Sequence, residues 1–407
     1  MKALFLTREY PPYVYGGAGV HVEYLSRELA KLMDLEVRCF GDQNSREGRL
    51  SVKGIDFDKS LFEACDKKLK SPFTSFHNCI TFNAQPVDAD VVHCHTWYSH
   101  FGGLLAQKAY GIPLVVTTHS LEPHRPWKRE QLGNGYDLSL WVEKTAMESA
   151  DAIIAVSGGM KRDVLDLFNV DPDKITVIYN GIDINEYQHR ENPEILVKYG
   201  IDPQRPFVLF VGRITRQKGI IHLVNAIKHI DAEAQIVLCA GEPDTEEIKA
   251  EMLAGVQAVQ AVRNNVIWIQ KMVPRQEIIP LYSHAAVFCC PSIYEPFGII
   301  NLEAMACKTP VVGSAVGGIV EIIVDGETGF LVKFDQYRQS PFEPVRPDEF
   351  ARSLADPINT LLRDAGLRQR MGEASRRRVE EKFSWPSIAR EVYELYQKLV
   401  QSRNGGR

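Results

Sequence analysis

Two glutamates, Glu295 and Glu303, stand eight positions apart, and their carboxylates could accept hydrogen bonds from sugar hydroxyls. Pro296 suits a helix entrance, because a helix does not use the N–H of its first residue. The run 297–307 then carries apolar residues at helical spacing, and Gly298 would let a ligand approach the backbone. The N-terminus of such a helix can receive a phosphate. The alternative is that these glutamates only favour the helix dipole.

Two cations follow the apolar run 207–211, which has the character of a buried strand. Arg213 stands at the end of this predicted strand, and Lys218 lies near the start of the next helix. Cations in these positions are suited to neutralise a diphosphate, and they would stabilise the charge that develops as a diphosphate departs. A loop that carries charged residues by chance is the alternative.

A glycine-bearing loop follows the first predicted strand, which ends near Thr7. Gly16 and Gly17 would permit close approach of a phosphate, and the helix that follows offers its N-terminus. In a dinucleotide-binding fingerprint the first glycine follows the strand at once, whereas Gly16 comes about nine residues later, which disfavours NAD. A plain glycine turn remains the alternative.

Histidines occur at the ends of two further strands. His93 and His95 would share one face of a strand, but two histidines without a carboxylate at ligand spacing are a weak metal site, and no metal is predicted. His93 is interpreted as a core residue with satisfied hydrogen bonds. His95 and Trp97 are candidates for contact with an acceptor, and His119 directly follows the strand 114–118.

The segment after His119 mixes basic and aromatic residues. Arg125, Lys128 and Arg129 surround Trp127 in it, and such a loop could meet a sugar and an anion together. Ordinary solvated surface charge is the alternative for these three cations.

Bulk properties limit the classes of protein that are compatible with this chain. With 407 residues, 45% hydrophobic and 24% charged, it should form two or three globular domains, at roughly 150 residues each. The net charge of -5 argues against nucleic acid or an anionic membrane as the main partner. No stretch has the apolar length of a membrane span, and the N-terminus is too briefly apolar for a signal peptide, so a cytoplasmic location is expected. The eight cysteines show no CxxC spacing and are predicted to be buried free thiols.

Apolar runs of strand length alternate with helical stretches along most of the chain, which predicts doubly wound parallel sheets. Residues 42–88 show weak periodicity and are left unassigned. The predicted organisation is an N-terminal Rossmann-like domain over 1–185, a linker over 186–206, a second Rossmann-like domain over 207–383 and a C-terminal helix over 384–407 that could pack back on the first domain. Ligands bind beyond the carboxyl ends of strands in such sheets, so two domains facing across a cleft are expected.

These motifs, in this order over nearly the whole chain, resemble those of retaining GT-B glycosyltransferases of the glycogen and starch synthase type. The spacing of Glu295 and Glu303 is similar to that family's E-x7-E motif, in which the first glutamate lies by the transferred sugar and the second binds the ribose. The resemblance further implies that His119 contacts the donor sugar and that no metal or other cofactor takes part. It assigns the remaining donor contacts to a glycine loop, two cations and the backbone of a helix entrance, here Gly16, Gly17, Arg213, Lys218, Phe297, Gly298 and Ile299.

Two departures from the pattern concern the acceptor. Synthases of long glucans typically show KxGG and HxHDW, where this chain has Val14 two positions before Gly16 and has Thr96 before Trp97. The segments 15–21 and 119–128 look more like a bacterial branch that includes maltose-1-phosphate synthases. In that branch the acceptor can be glucose 1-phosphate, and basic residues such as Arg125, Lys128 and Arg129 would suit its phosphate.

The resemblance therefore implies a hexosyltransferase of glycogen biosynthesis that moves glucose from ADP-glucose, or from UDP-glucose, to the 4-hydroxyl of an α-1,4-glucan or of glucose 1-phosphate. Two alternatives stay open. One is a GT-B enzyme that acts on a lipid, a sugar phosphate or a small molecule, and the other is a non-catalytic protein that binds a sugar nucleotide. Nucleic acid and integral membrane association are not expected, and the sequence does not decide the oligomeric state.

Overall fold

The computed structural model describes residues 1–241 and 243–405, except for the side chains of Lys59, Asn404 and Gly405. The chain divides into two compact units. The first comprises Met1–Gly181 and the segment from Trp385 onward, and the second comprises Ile182–Ser384. Both are Rossmann-like α/β domains with mainly parallel sheets, as predicted from the alternating runs.

The first unit is built on an eight-stranded sheet in the order β3-β4-β2-β1-β5-β6-β7-β8. All neighbouring strands are parallel except the pair β3 and β4. The central strands are buried on both faces, which explains their nearly continuous apolar sequences. The strands are β1 (Lys2–Thr7), β2 (Asp34–Phe40), β3 (Asn44–Glu47), β4 (Leu50–Ile55), β5 (Val91–His95), β6 (Leu114–Thr118), β7 (Ala152–Ala155) and β8 (Ile175–Val177).

Six helices cover this sheet before the chain enters the second unit. The helix after β1 begins at Gly17, within the glycine-bearing loop of the sequence analysis. The helices are α1 (Gly17–Leu29), α2 (Lys70–Ala84), α3 (Trp97–Tyr110), α4 (Lys128–Leu132), α5 (Gly135–Ser149) and α6 (Gly158–Leu167). Residues 42–88, left unassigned from the sequence, contain the β3–β4 hairpin and α2.

The second unit has a six-stranded parallel sheet in the order β11-β10-β9-β12-β13-β14. Its strands are β9 (Phe207–Arg213), β10 (Gln235–Gly241), β11 (Val266–Ile269), β12 (Val287–Cys290), β13 (Val311–Ser314) and β14 (Gly329–Val332). Its helices are α7 (Pro193–Lys198), α8 (Ile220–Ala226), α9 (Glu246–Gln260), α10 (Arg275–His284), α11 (Ile299–Ala306), α12 (Ile319–Ile322), α13 (Pro347–Arg363) and α14 (Ala365–Lys382). Residues 186–206, interpreted above as a linker, lie within this unit and include α7.

The chain then returns to the first unit as the helix α15 (Trp385–Gly405), which packs against α1. Trp385, Ile388, Val392 and Tyr396 of this helix are each at most 2% exposed and belong to the core of the first unit. The first core is therefore closed by residues that are distant in sequence.

Membrane-spanning potential and the state of the cysteines can also be read from the structure. Among the described residues, no helix is both long enough and apolar enough to cross a lipid bilayer. All eight cysteines are free, and all are buried except the partly exposed Cys65, which confirms their predicted state.

Candidate active site

The topology of the second sheet brings the predicted donor-binding residues to one point. Strand β9 is flanked by β10 on one side and β12 on the other, so the chain leaves these strands toward opposite sides of the sheet. A crevice opens at such a switch point beyond the strand ends. Arg213 is the last residue of β9, and Glu295 follows β12 by five positions.

Lys218 and Glu295 form an ion pair at this switch point. Lys218 Nζ lies 2.6 Å from Glu295 Oε2, which also accepts a hydrogen bond of 3.3 Å from Ser292 Oγ. Burial is the largest single influence and acts against the charged ammonium group, but the attraction and hydrogen bond of Glu295, together with the smaller influence of Cys290, raise the pKa of Lys218 on balance. The lysine is therefore a fixed positive charge, held in place by a carboxylate that is itself buried.

Arg213 is anchored by a second carboxylate. Its Nη1 donates a hydrogen bond of 3.0 Å to Asp244 Oδ1, and its side chain stays 28% exposed. The guanidinium is a planar fork, so the pair with Asp244 fixes its orientation.

The carboxylate of Glu303 accepts hydrogen bonds from the hydroxyls of two tyrosines. Tyr187 Oη donates to its Oε1 at 3.0 Å, and Tyr282 Oη donates to its Oε2 at 2.8 Å. Burial raises the pKa of Glu303, and the two tyrosines oppose this shift. Each carboxylate oxygen retains a lone pair, so a further hydroxyl could still be bound.

The backbone between the glutamates makes a turn that requires glycine. Gly298 caps α11 with φ +106°, and a Cβ atom there would lie 2.5 Å from Asn301 Nδ2. Ile299 then begins α11, which places its amide among the free N–H groups of the helix start. Phe297 is buried, so only its backbone is placed for the predicted ligand contact.

The glycine loop of the first unit is organised by Glu9, which the sequence interpretation overlooked. Glu9 Oε2 accepts hydrogen bonds from the amides of Tyr15 and Gly16 at 2.8 and 2.9 Å. Gly16 has open space around it and caps α1, and Gly17 is the first residue of that helix. The Gly16 amide is thus already engaged by a carboxylate, which leaves the following amides of the first turn for an anion.

A cluster of imidazoles gathers at the carboxyl edge of the first sheet. His95 ends β5, His119 directly follows β6 and His21 comes from α1. One ring nitrogen from each lies within 4.8 Å of the other two, and His95 Nδ1 is 3.2 Å from His119 Nε2. His21 Nδ1 contacts the side-chain carbonyl oxygen of Asn180 at 2.6 Å.

The histidines of this cluster are uncharged at neutral pH. Burial lowers the pKa of His21 to about 4 and lowers the pKa values of His95 and His119 well below 6.5. His93 lies beside them, but both of its nitrogens are hydrogen-bonded, one to Tyr396 Oη and one to Thr117 Oγ1 at 2.6 Å. It is the satisfied core histidine that the sequence predicted.

Two predicted acceptor contacts lie in the core instead of on the surface. His95 is fully buried, and Trp97 is 3% exposed with its ring stacked on Tyr98 at 4.0 Å between ring centres. Thr96 between them has φ +66°, a strained value for a β-branched residue. Neither ring offers a face to an acceptor, because β5 and the first turn of α3 hold both inside the sheet packing.

Two of the three predicted acceptor cations are engaged by carboxylates of the same unit. Lys128 is buried and donates to Glu122 Oε1 at 2.7 Å, whereas the exposed Arg129 forms a two-point pair with Asp137 at 2.6 and 3.0 Å. These pairs correct the expectation of three free cations, since neither side chain is held toward an open anion site.

Arg125 differs from these two residues. Its Nη1 lies 3.8 Å from Glu122 Oε1, and its buried Nε has no hydrogen-bond partner within the described part of the chain. Nearby, the exposed Arg8 lies over the Tyr98 ring, 4.2 Å from its centre. Burial raises the pKa of Tyr98, and Arg8 and Arg125 are both close enough to oppose that shift. Two guanidinium groups thus act electrostatically on the same tyrosine.

Arg8 and His21 were missed from the sequence, although both follow the first predicted strand. Neither stands in a recognisable spacing with its partners, because Tyr98 and His119 come about 90 and 98 residues later. The one sequence feature that pointed to Arg8 was its position directly after Thr7, at the end of the first predicted strand.

The chain matches two glycosyltransferase families. Residues 15–186 match Glycosyltransferase Family 4, and residues 191–340 match Glycosyl transferases group 1. The chain is 46% identical over 403 residues to an alpha-maltose-1-phosphate synthase of Mycolicibacterium smegmatis, covering 98% of this chain and 100% of the relative. The corresponding protein of Mycobacterium tuberculosis is 43% identical over 408 residues, with the same coverage.

Solved structures share the fold at lower identity. A sucrose-phosphate synthase from Thermosynechococcus elongatus aligns with TM-score 0.78 and 22% identity, over 99% of this chain and all of that one. The catalytic domain of starch synthase IV from Arabidopsis thaliana aligns with TM-score 0.75 and 17% identity, over 98% of this chain and 99% of that one. Fold, family matches and identities together define a retaining hexosyltransferase of the GT-B class. The chain belongs to the glycosyltransferase family that includes the alpha-maltose-1-phosphate synthases.

Proposed function

We propose that this enzyme transfers glucose from ADP-glucose to the 4-hydroxyl of glucose 1-phosphate, with UDP-glucose as the second donor and α-1,4-glucan as the second acceptor. The observation that carries the transfer chemistry is the Lys218–Glu295 pair, 2.6 Å long, beside Arg213 at the switch point of the second sheet. The acceptor is proposed from the names of the relatives that share 43% to 46% of its sequence.

In the proposed reaction, the bond between C1 of glucose and the diphosphate oxygen breaks, and a bond from C1 to O4 of the acceptor forms on the same face. The proton of the 4-hydroxyl passes to the departing diphosphate. Negative charge grows on the diphosphate as it leaves, and Lys218 and Arg213 are oriented in advance to stabilise it. Because both cations are already fixed by carboxylates, little reorganisation accompanies the step.

The other donor contacts are proposed as follows. Glu295 and His119 contact hydroxyls of the transferred glucose, Glu303 binds the ribose, and the amides of Gly298 and Ile299 contact the diphosphate together with those of the glycine loop. No metal or other cofactor enters this scheme, because the two cations and the helix N-termini supply the positive charge.

The acceptor phosphate is proposed to bind Arg125 and Arg8 near the Tyr98 hydroxyl. Arg125 has a buried Nε free to donate, and Arg8 is exposed over the Tyr98 ring at 4.2 Å. Lys128 supports this site by holding Glu122 in an ion pair of 2.7 Å, which offsets the charge of that carboxylate. Arg129 is assigned no contact with the phosphate.

The direct test is incubation of the purified chain with ADP-glucose, UDP-glucose or GDP-mannose, each with glucose 1-phosphate, with maltoheptaose or without acceptor. Product is identified by phosphorus and proton nuclear magnetic resonance. We expect a disaccharide phosphate with an α-1,4 linkage from ADP-glucose and glucose 1-phosphate. Absence of transfer from every donor would contradict the proposal, and transfer to maltoheptaose alone would reassign the acceptor.

A further inference from the structure

We propose that His21, His95 and His119 form a site for a divalent transition-metal ion of the zinc type. The site is the imidazole cluster of the first unit, and it includes His119, the residue assigned above to the transferred glucose. The sequence suggested only the pair His93 and His95, and the fold replaces His93 with two histidines from other elements.

The spacing of the ring nitrogens suits one ion. Zinc binds imidazole nitrogen at about 2.0–2.1 Å, so two ligands in tetrahedral geometry lie about 3.3 Å apart. His95 Nδ1 and His119 Nε2 are 3.2 Å apart, and the ligand atom of His21 lies within 4.8 Å of both. Where a separation approaches 4.8 Å, tetrahedral ligation shortens it by about 1.5 Å, and His119 is the one half-buried ring of the three.

The hydrogen bonds around the cluster leave lone pairs for a metal. Because the Asn180 carbonyl oxygen only accepts, His21 Nδ1 carries the proton and its buried Nε2 keeps a lone pair. Within the described residues, His21 Nε2 has no hydrogen-bond partner, whereas His95 Nδ1 and His119 Nε2 share one hydrogen bond, whose proton would move to the other nitrogen of its ring when both bind the ion. Asn180 therefore orients His21 in the way that carbonyl groups orient metal-bound histidines through their other ring nitrogen. An unpaired buried nitrogen is costly, and coordination would remove that cost.

Burial also removes the competition between metal and protons. A metal binds the neutral imidazole, and all three side chains have pKa values below 6.5, with His21 at about 4. Three neutral nitrogen ligands with no carboxylate favour zinc, copper or nickel over magnesium or calcium, which prefer oxygen.

The test uses the full chain without added nucleotide and titrates it with Zn²⁺ by calorimetry, and with Co²⁺ by its visible absorption. We expect one Zn²⁺ per chain, a tetrahedral Co²⁺ spectrum and no binding of Mg²⁺. His119→Gln should weaken Zn²⁺ binding at least tenfold, whereas His77→Gln, at another half-buried histidine of the same unit, should leave it unchanged.

His21→Gln provides the second variant, and a thermal melt checks that each variant is folded. If His21→Gln does not fold, His119→Gln decides, since its side chain is partly exposed. Absence of Zn²⁺ binding by the wild type, or equal binding by His119→Gln, would overturn the proposal.

If the transfer reaction is confirmed, Zn²⁺ should also inhibit it where Mg²⁺ does not, because His119 is the residue assigned to the transferred glucose.

Discussion

At the scale of single residues, the ion pair between Lys218 and Glu295 is the feature on which the proposed chemistry depends. We expect Lys218→Ala to lower kcat by about a hundredfold or more, because removing a preorganised charge from a transition state costs that much. Binding of the nucleoside diphosphate should weaken by less than about tenfold. Steady-state kinetics and calorimetry with ADP measure the two quantities.

The matched control is Lys271→Ala, at an exposed lysine of the same unit whose Nζ lies 5.6 Å from the Tyr199 ring centre. It should change neither quantity. Equal losses in turnover and ADP affinity for Lys218→Ala would show that the lysine acts in the ground state and would contradict the transition-state role.

Arg125 and Arg129 offer a second comparison at this scale. Arg125→Ala should raise KM for glucose 1-phosphate by about 10- to 100-fold with kcat little changed, since a charged hydrogen bond contributes about 1.5–3 kcal/mol. Arg129→Ala breaks an exposed pair with Asp137 and a contact 5.1 Å from the centre of the Tyr136 ring, and it should leave KM as it is. A larger effect at Arg129 than at Arg125 would contradict this assignment and would place the binding site for the acceptor phosphate on the exposed surface of α4.

Residue types could be predicted from the sequence where chemistry and spacing coincide, but their partners could not. Glu295 and Lys218 were selected individually, while their contact depends on the neighbouring positions of β9 and β12. The tyrosines around Glu303 and the pairing of Lys128 with Glu122 were invisible, because no local pattern marks a hydrogen bond made through folding. Counting basic residues in the sequence therefore overestimated the number of cations that are available to bind an anion.

At the scale of elements, the turn before α11 gives a sharp prediction. Gly298→Ala places a side chain at φ +106° and 2.5 Å from Asn301 Nδ2, so it should destabilise the protein by about 1–3 kcal/mol and lower activity by more than tenfold. Urea unfolding and the transfer assay measure these effects.

Gly326→Ala is the matched control. Gly326 has φ +77°, but a Cβ atom added there would have no atom of the described residues within 4 Å. The variant should show the backbone strain without the clash and keep its activity. If both variants lost activity equally, strain in the second unit in general, and not the geometry at α11, would be responsible.

Elements with strong periodicity were predictable, and the short edge elements were not. The buried parallel strands carry continuous apolar runs, so the predicted strands 114–118 and 207–211 fall within β6 and β9. The hairpin strand β3 is four exposed residues long and pairs only with β4, which leaves no apolar signal to detect. Helix α1 starts at Gly17, a residue that propensity alone places in a turn.

At the scale of the whole molecule, buried neutral histidines make stability depend on pH. His21 has a pKa of about 4 when folded and about 6.5 when unfolded, so the unfolded state binds its proton first as the pH falls. Stability from this residue is complete above pH 6.5 and is lost between pH 6.5 and 4, by about 3 kcal/mol.

His21→Gln should therefore flatten the decline in unfolding free energy between pH 7.5 and 4, relative to the wild type. Tryptophan fluorescence in urea follows it well, because four of the five tryptophans lie in the first unit, namely Trp97, Trp127, Trp141 and Trp385. Parallel curves for the two proteins would mean that His21 is charged or exposed when folded.

The return of the chain as α15 makes the stability of the first unit depend on residues that come last. Trp385, Ile388, Ala389, Val392 and Tyr396 are all at most 2% exposed. Burying side chains of this size contributes about 1.5–3 kcal/mol for each large one, or about 10 kcal/mol in sum, which matches the whole stability of a typical domain.

Removal of α15 should therefore unfold the first unit, while a chain that ends at Arg403 should be as stable as the full chain. Without the helix, His93 also loses its hydrogen bond with the Tyr396 hydroxyl, so a buried imidazole nitrogen is left without a partner. Hydrogen exchange should then label β1, β5 and α1 within the shortest exposure and spare β9 and β12. Protection of β1 and α1 in the truncated chain would contradict this prediction. It would show that the core of the first unit folds without α15, and that burial of the helix stabilises only the docked helix itself.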